Sequence, residues 1–65
     1  MYISENTVKK ILKEAGASRI SVSASMELHK YINRMAFDIA RKAVRLSRHA
    51  KRKTVEASDV KLAYA

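Results

Sequence analysis

From Ser21 to about Arg48 the chain contains neither proline nor glycine, and Leu28, Ile32, Met35, Ile39, Ala43, Leu46 and Ala50 recur in steps of four and three. That rhythm has the period of an α-helix, about 3.6 residues. It predicts one unbroken helix of about 28 residues, roughly 42 Å long at 1.5 Å per residue. The whole chain has 65 residues. A rod of that length cannot be wrapped by the short segments that remain.

A helical wheel sharpens the constraint. Leu28, Ile32, Met35, Ile39 and Leu46 form one seam flanked by Ala36 and Ala40, while Met26, Phe37 and Val44 form a second seam nearly opposite. Only the arc of Glu27, Lys30, Arg34, Asp38, Arg41, Arg45 and Arg48 is consistently polar. A surface helix shows one apolar stripe, so two seams call for two packing partners. The short helices of the same chain are expected to cover the first, and a second copy of the chain the second. At roughly 25 cal/mol per Å² of apolar surface, burying a Phe, a Val and a Met contributes several kcal/mol.

The flanks read as short helices. Val8, Ile11, Leu12 and Ala15 share one face, Ser4 stands as an N-cap with Glu5 in the first turn, and Gly16 ends the segment, giving a helix over about residues 4 to 15. Lys9, Lys10 and Lys13 lie on its opposite face. Ser21 caps the long helix. Between Arg41 and Lys53 there are seven Lys and Arg and no acid, and a last helix opens at Glu56 or nearby Thr54 and runs to Tyr64 with Asp59 in its first turn. The expected fold is all-α, a single domain over 1 to 65 in the order short helix, loop, long helix, loop, short helix.

Composition excludes most other classes. One Gly and no Pro leave too few turns for a sheet of short strands, and no Cys with only His29 and His49 removes disulfides and a Cys-based zinc site. The apolar fraction of 48% is too high for a disordered basic tail. So small an unstapled domain usually gains its stability by oligomerising. The longest apolar run is residues 62 to 65, which predicts a soluble, cytoplasmic protein without a membrane span. Fourteen Lys and Arg against six Asp and Glu give a net charge of +8, which asks for a polyanionic partner: nucleic acid first, an anionic membrane surface second. Catalysis has no support, because the sequence holds no Cys nucleophile, paired-His motif or Gly-rich phosphate loop. No cofactor, metal or small-molecule substrate is expected. Glu27 and Asp38 read as charge balance, His29 as a solvated side chain, His49 as an interface residue, and Tyr2, Tyr31, Tyr64 and Phe37 as packing residues.

The helix order, together with Arg19-Ile20-Ser21 in the first loop and Arg48-His49-Ala50-Lys51-Arg52-Lys53-Thr54-Val55 leading to Asp59-Val60 in the second, resembles the histone fold, and most closely the small tailless histones of archaea. Lys-Glu-Ala-Gly-Ala-Ser-Arg at 13 to 19 is a further matching stretch. The resemblance implies a handshake dimer whose long helices cross, with the first loop of each chain beside the second loop of the other. It implies a chromosomal, nucleoid-associated protein that wraps or compacts double-stranded DNA with little sequence preference. Implied DNA-binding residues are Lys9, Lys10, Lys13, Arg19, Ser21, Lys51, Arg52, Lys53 and Thr54, with Arg19 entering the minor groove and held by Thr54 of the neighbouring chain. Arg52 and Asp59 would form a clamp across the second loop, so Arg52 is structural first and DNA-facing second. Leu46, His49, Asp59 and Leu62 match the contact between two dimers, predicting tetramers or longer assemblies on DNA. Lys51 stands where the family usually has Gly. Lys30 and Lys61 are both basic where stacked assemblies use opposite charges, which argues against layers stacking on one another. The other reading consistent with this fold is a histone-fold protein that heterodimerises inside a transcription or chromosome complex.

Overall fold

Each helix begins where a side chain can satisfy the first free backbone N–H groups. Ser4 Oγ accepts from the N–H of Thr7 at 3.2 Å and opens α1, Glu5–Glu14. Ser21 Oγ accepts from the N–H of Ala24 at 3.1 Å and opens α2, Val22–His49, which has 28 residues. Glu56 caps α3, Ala57–Tyr64, and its N–H donates to Asp59 Oδ2 at 2.8 Å. This is a computed structural model describing residues 2 to 65. It has three helices and no strand among the described residues, in the order and nearly the bounds that the sequence predicts.

Helices α1 and α2 stop by the same device. After α1 the N–H of Gly16 bonds to Lys13 C=O and that of Ala17 to Leu12 C=O, with Gly16 at φ 110°. After α2 the N–H of Lys51 bonds to Arg48 C=O and that of Arg52 to Ser47 C=O, both at 2.9 Å. This pair of bonds needs a left-handed residue at its centre. At the second site that residue is Lys51, at φ 59°. A side chain in that conformation costs roughly 1 kcal/mol relative to glycine. Lys51→Gly is therefore expected to stabilise the fold by about 1 kcal/mol in denaturant titration, and to weaken binding to DNA. Equal or lower stability would show that the lysine is held there by contacts worth more than its strain.

The chain divides into two units, Met1–Arg34 and Met35–Ala65. In the first, Val8 is fully buried, and Ile3 is tied to α2 from both sides of its peptide: its N–H donates to Asn33 Oδ1 at 2.8 Å, and its C=O lies 2.6 Å from His29 Nε2. His29 is therefore not solvated, as its sequence position suggested, but anchors the segment before α1. Ser25 and Asn33 are buried here. In the second unit Ala43 and Ser47 are buried.

These buried positions correct the wheel. By helical register they lie between the two apolar seams rather than on the first of them. Leu28, Ile32, Ile39 and Leu46 are half-buried, Met35 is 56% exposed, and of the second seam Met26 is 55% and Phe37 48% exposed. Tyr2, Tyr31 and Tyr64 are exposed as well. Both seams thus keep apolar surface that the chain's own helices leave uncovered. Val8 and Ala43 are the only buried apolar residues among those described.

Candidate nucleic-acid interface

In the first unit the side chains of Lys9, Lys10 and Lys13 project from the exposed face of α1, and Arg19 and Ser21 line a shallow concavity of about 580 Å³ with Leu12, Ile20 and Ala24. All four cations are exposed, and none makes an ion pair among the described residues. Their positive charge is thus available to an outside anion. Ser21 is exposed, with its hydroxyl committed to the cap of α2.

In the second unit Lys51, Arg52, Lys53 and Thr54 follow one another through the turn between α2 and α3. Lys51 and Lys53 are exposed and unpaired among the described residues, whereas both terminal nitrogens of Arg52 are engaged within the chain. Its Nη1 and Nη2 donate to Asp59 Oδ2 and Oδ1 at 2.9 and 2.8 Å, Nη1 also reaches the Thr54 C=O at 3.1 Å, and Glu56 lies 3.4 Å away. The predicted clamp is present. A guanidinium so engaged shapes the turn that carries Lys51 and Lys53.

Asp59 is buried and accepts from Arg52 and from the Glu56 N–H. Hydrogen bonds from Arg52, and then from the Glu56 backbone, hold its carboxyl down from 3.8 to about 2, and the same pairing raises the Arg52 guanidinium. Since the folded value lies below the unfolded one, the stabilisation is fully present above pH 3.8 and is lost as pH falls through about 2. Urea midpoints at fixed protein concentration should decline between those limits, and Asp59→Asn should flatten that decline while lowering stability at neutral pH. A wild-type curve that is already flat there would contradict the clamp's role.

Of the four residues predicted to join dimers, Leu46, His49 and Leu62 line an open groove of about 860 Å³ at the ends of α2 and α3, and Asp59 does not. Lys42, Arg45 and Arg48 line the same groove, a juxtaposition that the sequence leaves unassigned. Elsewhere the acids behave as charge balance: Glu27 pairs with Lys30 and Asp38 with Arg41, each at 3.8 Å. Lys30 and Arg41 also sit over the Tyr31 and Phe37 rings, at 5.6 and 5.9 Å from the centroids, and a hydrogen bond to Glu27 with its negative charge raises the Tyr31 phenol. No cluster of potential metal ligands and no helix long and apolar enough to cross a membrane occurs among the described residues.

A basic three-helix chain with uncovered apolar seams, and with unpaired cations on α1 and at both loops, defines a helical polyanion-binding module that associates with further copies or partners. The model of the histone-like transcription factor (CBF/NF-Y) and archaeal histone family matches residues 1–64, so the chain belongs to that family. It is 50% identical over 54 residues to the probable archaeal histone 3 of Methanocaldococcus jannaschii, covering 83% of this chain and 81% of that protein. It is 41% identical over 56 residues to one subunit of the archaeal histone HAN1 of Thermococcus zilligii, covering 86% and 84% respectively. The three helices are those of the histone fold, and the protein is a DNA-binding architectural histone rather than an enzyme. Its partners are double-stranded DNA and other histone chains, in dimers and higher oligomers, and its place is the chromosome.

Proposed function

We infer that this histone compacts DNA in the cytoplasm by bending the duplex along three contact surfaces of a handshake homodimer. Two are made where Arg19 and Ser21 of one chain meet Lys51, Lys53 and Thr54 of the other, and the third where Lys9, Lys10 and Lys13 of both chains meet. The observation that carries this reading is the division of labour among the cations. Lys9, Lys10, Lys13, Arg19, Lys51 and Lys53 are exposed and unpaired among the described residues, while Arg52, in the middle of the densest basic stretch, is locked onto Asp59. Charge left without an internal partner is charge available to phosphate. Contacts of lysines with phosphate and of an arginine with the minor groove read no major-groove base edges, so binding follows the ease of bending rather than base sequence.

Arg19 acts differently from the lysines. Its guanidinium, placed in a narrowed minor groove, senses groove width, whereas the lysines meet the backbone alone. Dimers then join through Leu46, His49 and Leu62 at the groove between α2 and α3, with Asp59 fixed beside them by Arg52. Nuclease digestion of reconstituted DNA should give protected fragments that lengthen in regular steps as protein is added. Arg19→Ala should weaken those bands while leaving the helical signal unchanged. Random fragment lengths would exclude wrapping.

A further inference from the structure

The groove at the ends of α2 and α3 combines two features that DNA alone does not satisfy. Its floor is apolar, with Leu46 half-buried and Leu62 64% exposed. Its rim carries Lys42, Arg45 and Arg48, which make no ion pair among the described residues, and His49. A phosphate backbone would neutralise the rim and leave the leucines in water, whereas a protein helix carrying both leucines and carboxylates would satisfy both.

A second copy of this chain can cover the apolar floor of the groove but does not answer the charge of its rim. Residues 35–65 hold eight Lys and Arg against Asp38, Glu56 and Asp59, a balance of +5. All three acids are already engaged, Asp38 by Arg41 and the other two by Arg52. A two-fold contact places the same patch against itself, so copies joined here would oppose two sets of unpaired cations. On DNA the nearby phosphates can offset that repulsion. Away from DNA those exposed cations are answered only by solvent and counterions, which leaves them open to an acidic protein surface.

We propose that this groove docks an acidic amphipathic helix of a different protein chain, which occupies it in competition with a second dimer. The apolar face of that helix covers Leu46 and Leu62, and carboxylates on its flanks meet Lys42, Arg45 and Arg48. The competition rests on the reading of this face as the place where dimers join; docking itself does not, and is measured without DNA. The bound helix would end a growing assembly at that point, making assembly length depend on the supply of the acidic partner.

The probe is a fluorescein-labelled helical peptide with Leu at i, i+3, i+4 and i+7 and Glu on both flanks, followed by anisotropy against the full chain. Binding is expected, at least about tenfold weaker to Arg45→Glu/Arg48→Glu and unchanged for Arg19→Ala. A matching peptide with Lys in place of Glu should not bind. Circular dichroism checks that the double variant folds, and Leu62→Ser, which keeps the charge, should weaken binding independently. No binding, or binding indifferent to these groove changes, overturns the proposal. So does displacement of the peptide from the Arg19→Ala/Lys53→Ala protein by a duplex too short to hold two dimers, which would make the groove a nucleic-acid surface. If docking succeeds but the peptide leaves nuclease-protected lengths unchanged, the groove binds the helix and the reading of it as the dimer junction falls.

Discussion

Phe37→Glu is expected to abolish the folded protein at micromolar concentration, leaving a chain without cooperative thermal unfolding, although Phe37 is 48% exposed in the single chain. Val8 and Ala43 are the only buried apolar residues among those described, and two such residues cannot offset the conformational entropy of fixing a chain of 65. The missing apolar burial has to come from the exposed surface of α2, which in the histone handshake is covered by the partner chain. Removing a buried Phe costs roughly 3–5 kcal/mol, and a two-fold dimer loses it twice, against a total stability of about 5–15 kcal/mol. A carboxylate left in that interface without a partner adds to the loss. Wild-type protein should sediment as a dimer with a Tm that rises with concentration. Arg34→Glu, on the polar arc of the same helix, should fold normally. A helical, cooperatively melting Phe37→Glu monomer would disprove dependence on the partner.

The features that make this dimer necessary were legible in the sequence, while those that hold the single chain together were not. The bounds of α1 and α2 followed from Ser4, Gly16 and Ser21, because caps are local and require particular residue types. The clamp of Arg52 on Asp59 followed only from resemblance, since their separation along the chain gives no local reason for the pairing. The face of α2 turned inward was misplaced for a definite reason. Its buried positions include Ser25, Asn33 and Ser47, which an apolar rhythm passes over. Each is made tolerable by a bond to its own helix: Ser25 Oγ to Val22 C=O, Asn33 Nδ2 to His29 C=O, and Ser47 Oγ to Val44 C=O, at 3.0, 2.7 and 2.9 Å. With those bonds made, no buried side-chain polar atom lacks a partner among the described residues. Small residues let neighbouring backbone approach closely, and periodicity of large apolar residues cannot register that. The same blindness left His29 in solvent, and left Arg45 and Arg48 on a polar arc and Lys42 in a basic run without a common site, since their groove exists only once α3 has folded back toward the end of α2.

DNA affinity should fall steeply with salt, and the slope should resolve the separate duties of the cations. Six exposed, unpaired cations per chain lie on the inferred path: Lys9, Lys10, Lys13, Arg19, Lys51 and Lys53. If half of these in each protomer neutralise a phosphate, about six counterions leave per dimer, giving a log–log slope of roughly −5 and a loss of about 10³ in affinity between 50 and 200 mM salt. Lys53→Ala removes one phosphate contact per chain and should make that slope shallower by about 2 per dimer on every sequence tested. Arg19→Ala should instead erase much of the preference for easily bent DNA over stiff DNA, because minor-groove insertion senses shape as well as charge. The clamp gives a third signature. Arg52→Ala lowers thermal stability first, and at temperatures where the protein remains folded it should change the slope less than Lys53→Ala does, since its guanidinium is already neutralised by Asp59. A slope near zero on random-sequence DNA would mean that the cations on α1 and the loops do not meet phosphate. Equal slope changes for Arg52→Ala and Lys53→Ala would mean that the clamp opens when DNA binds.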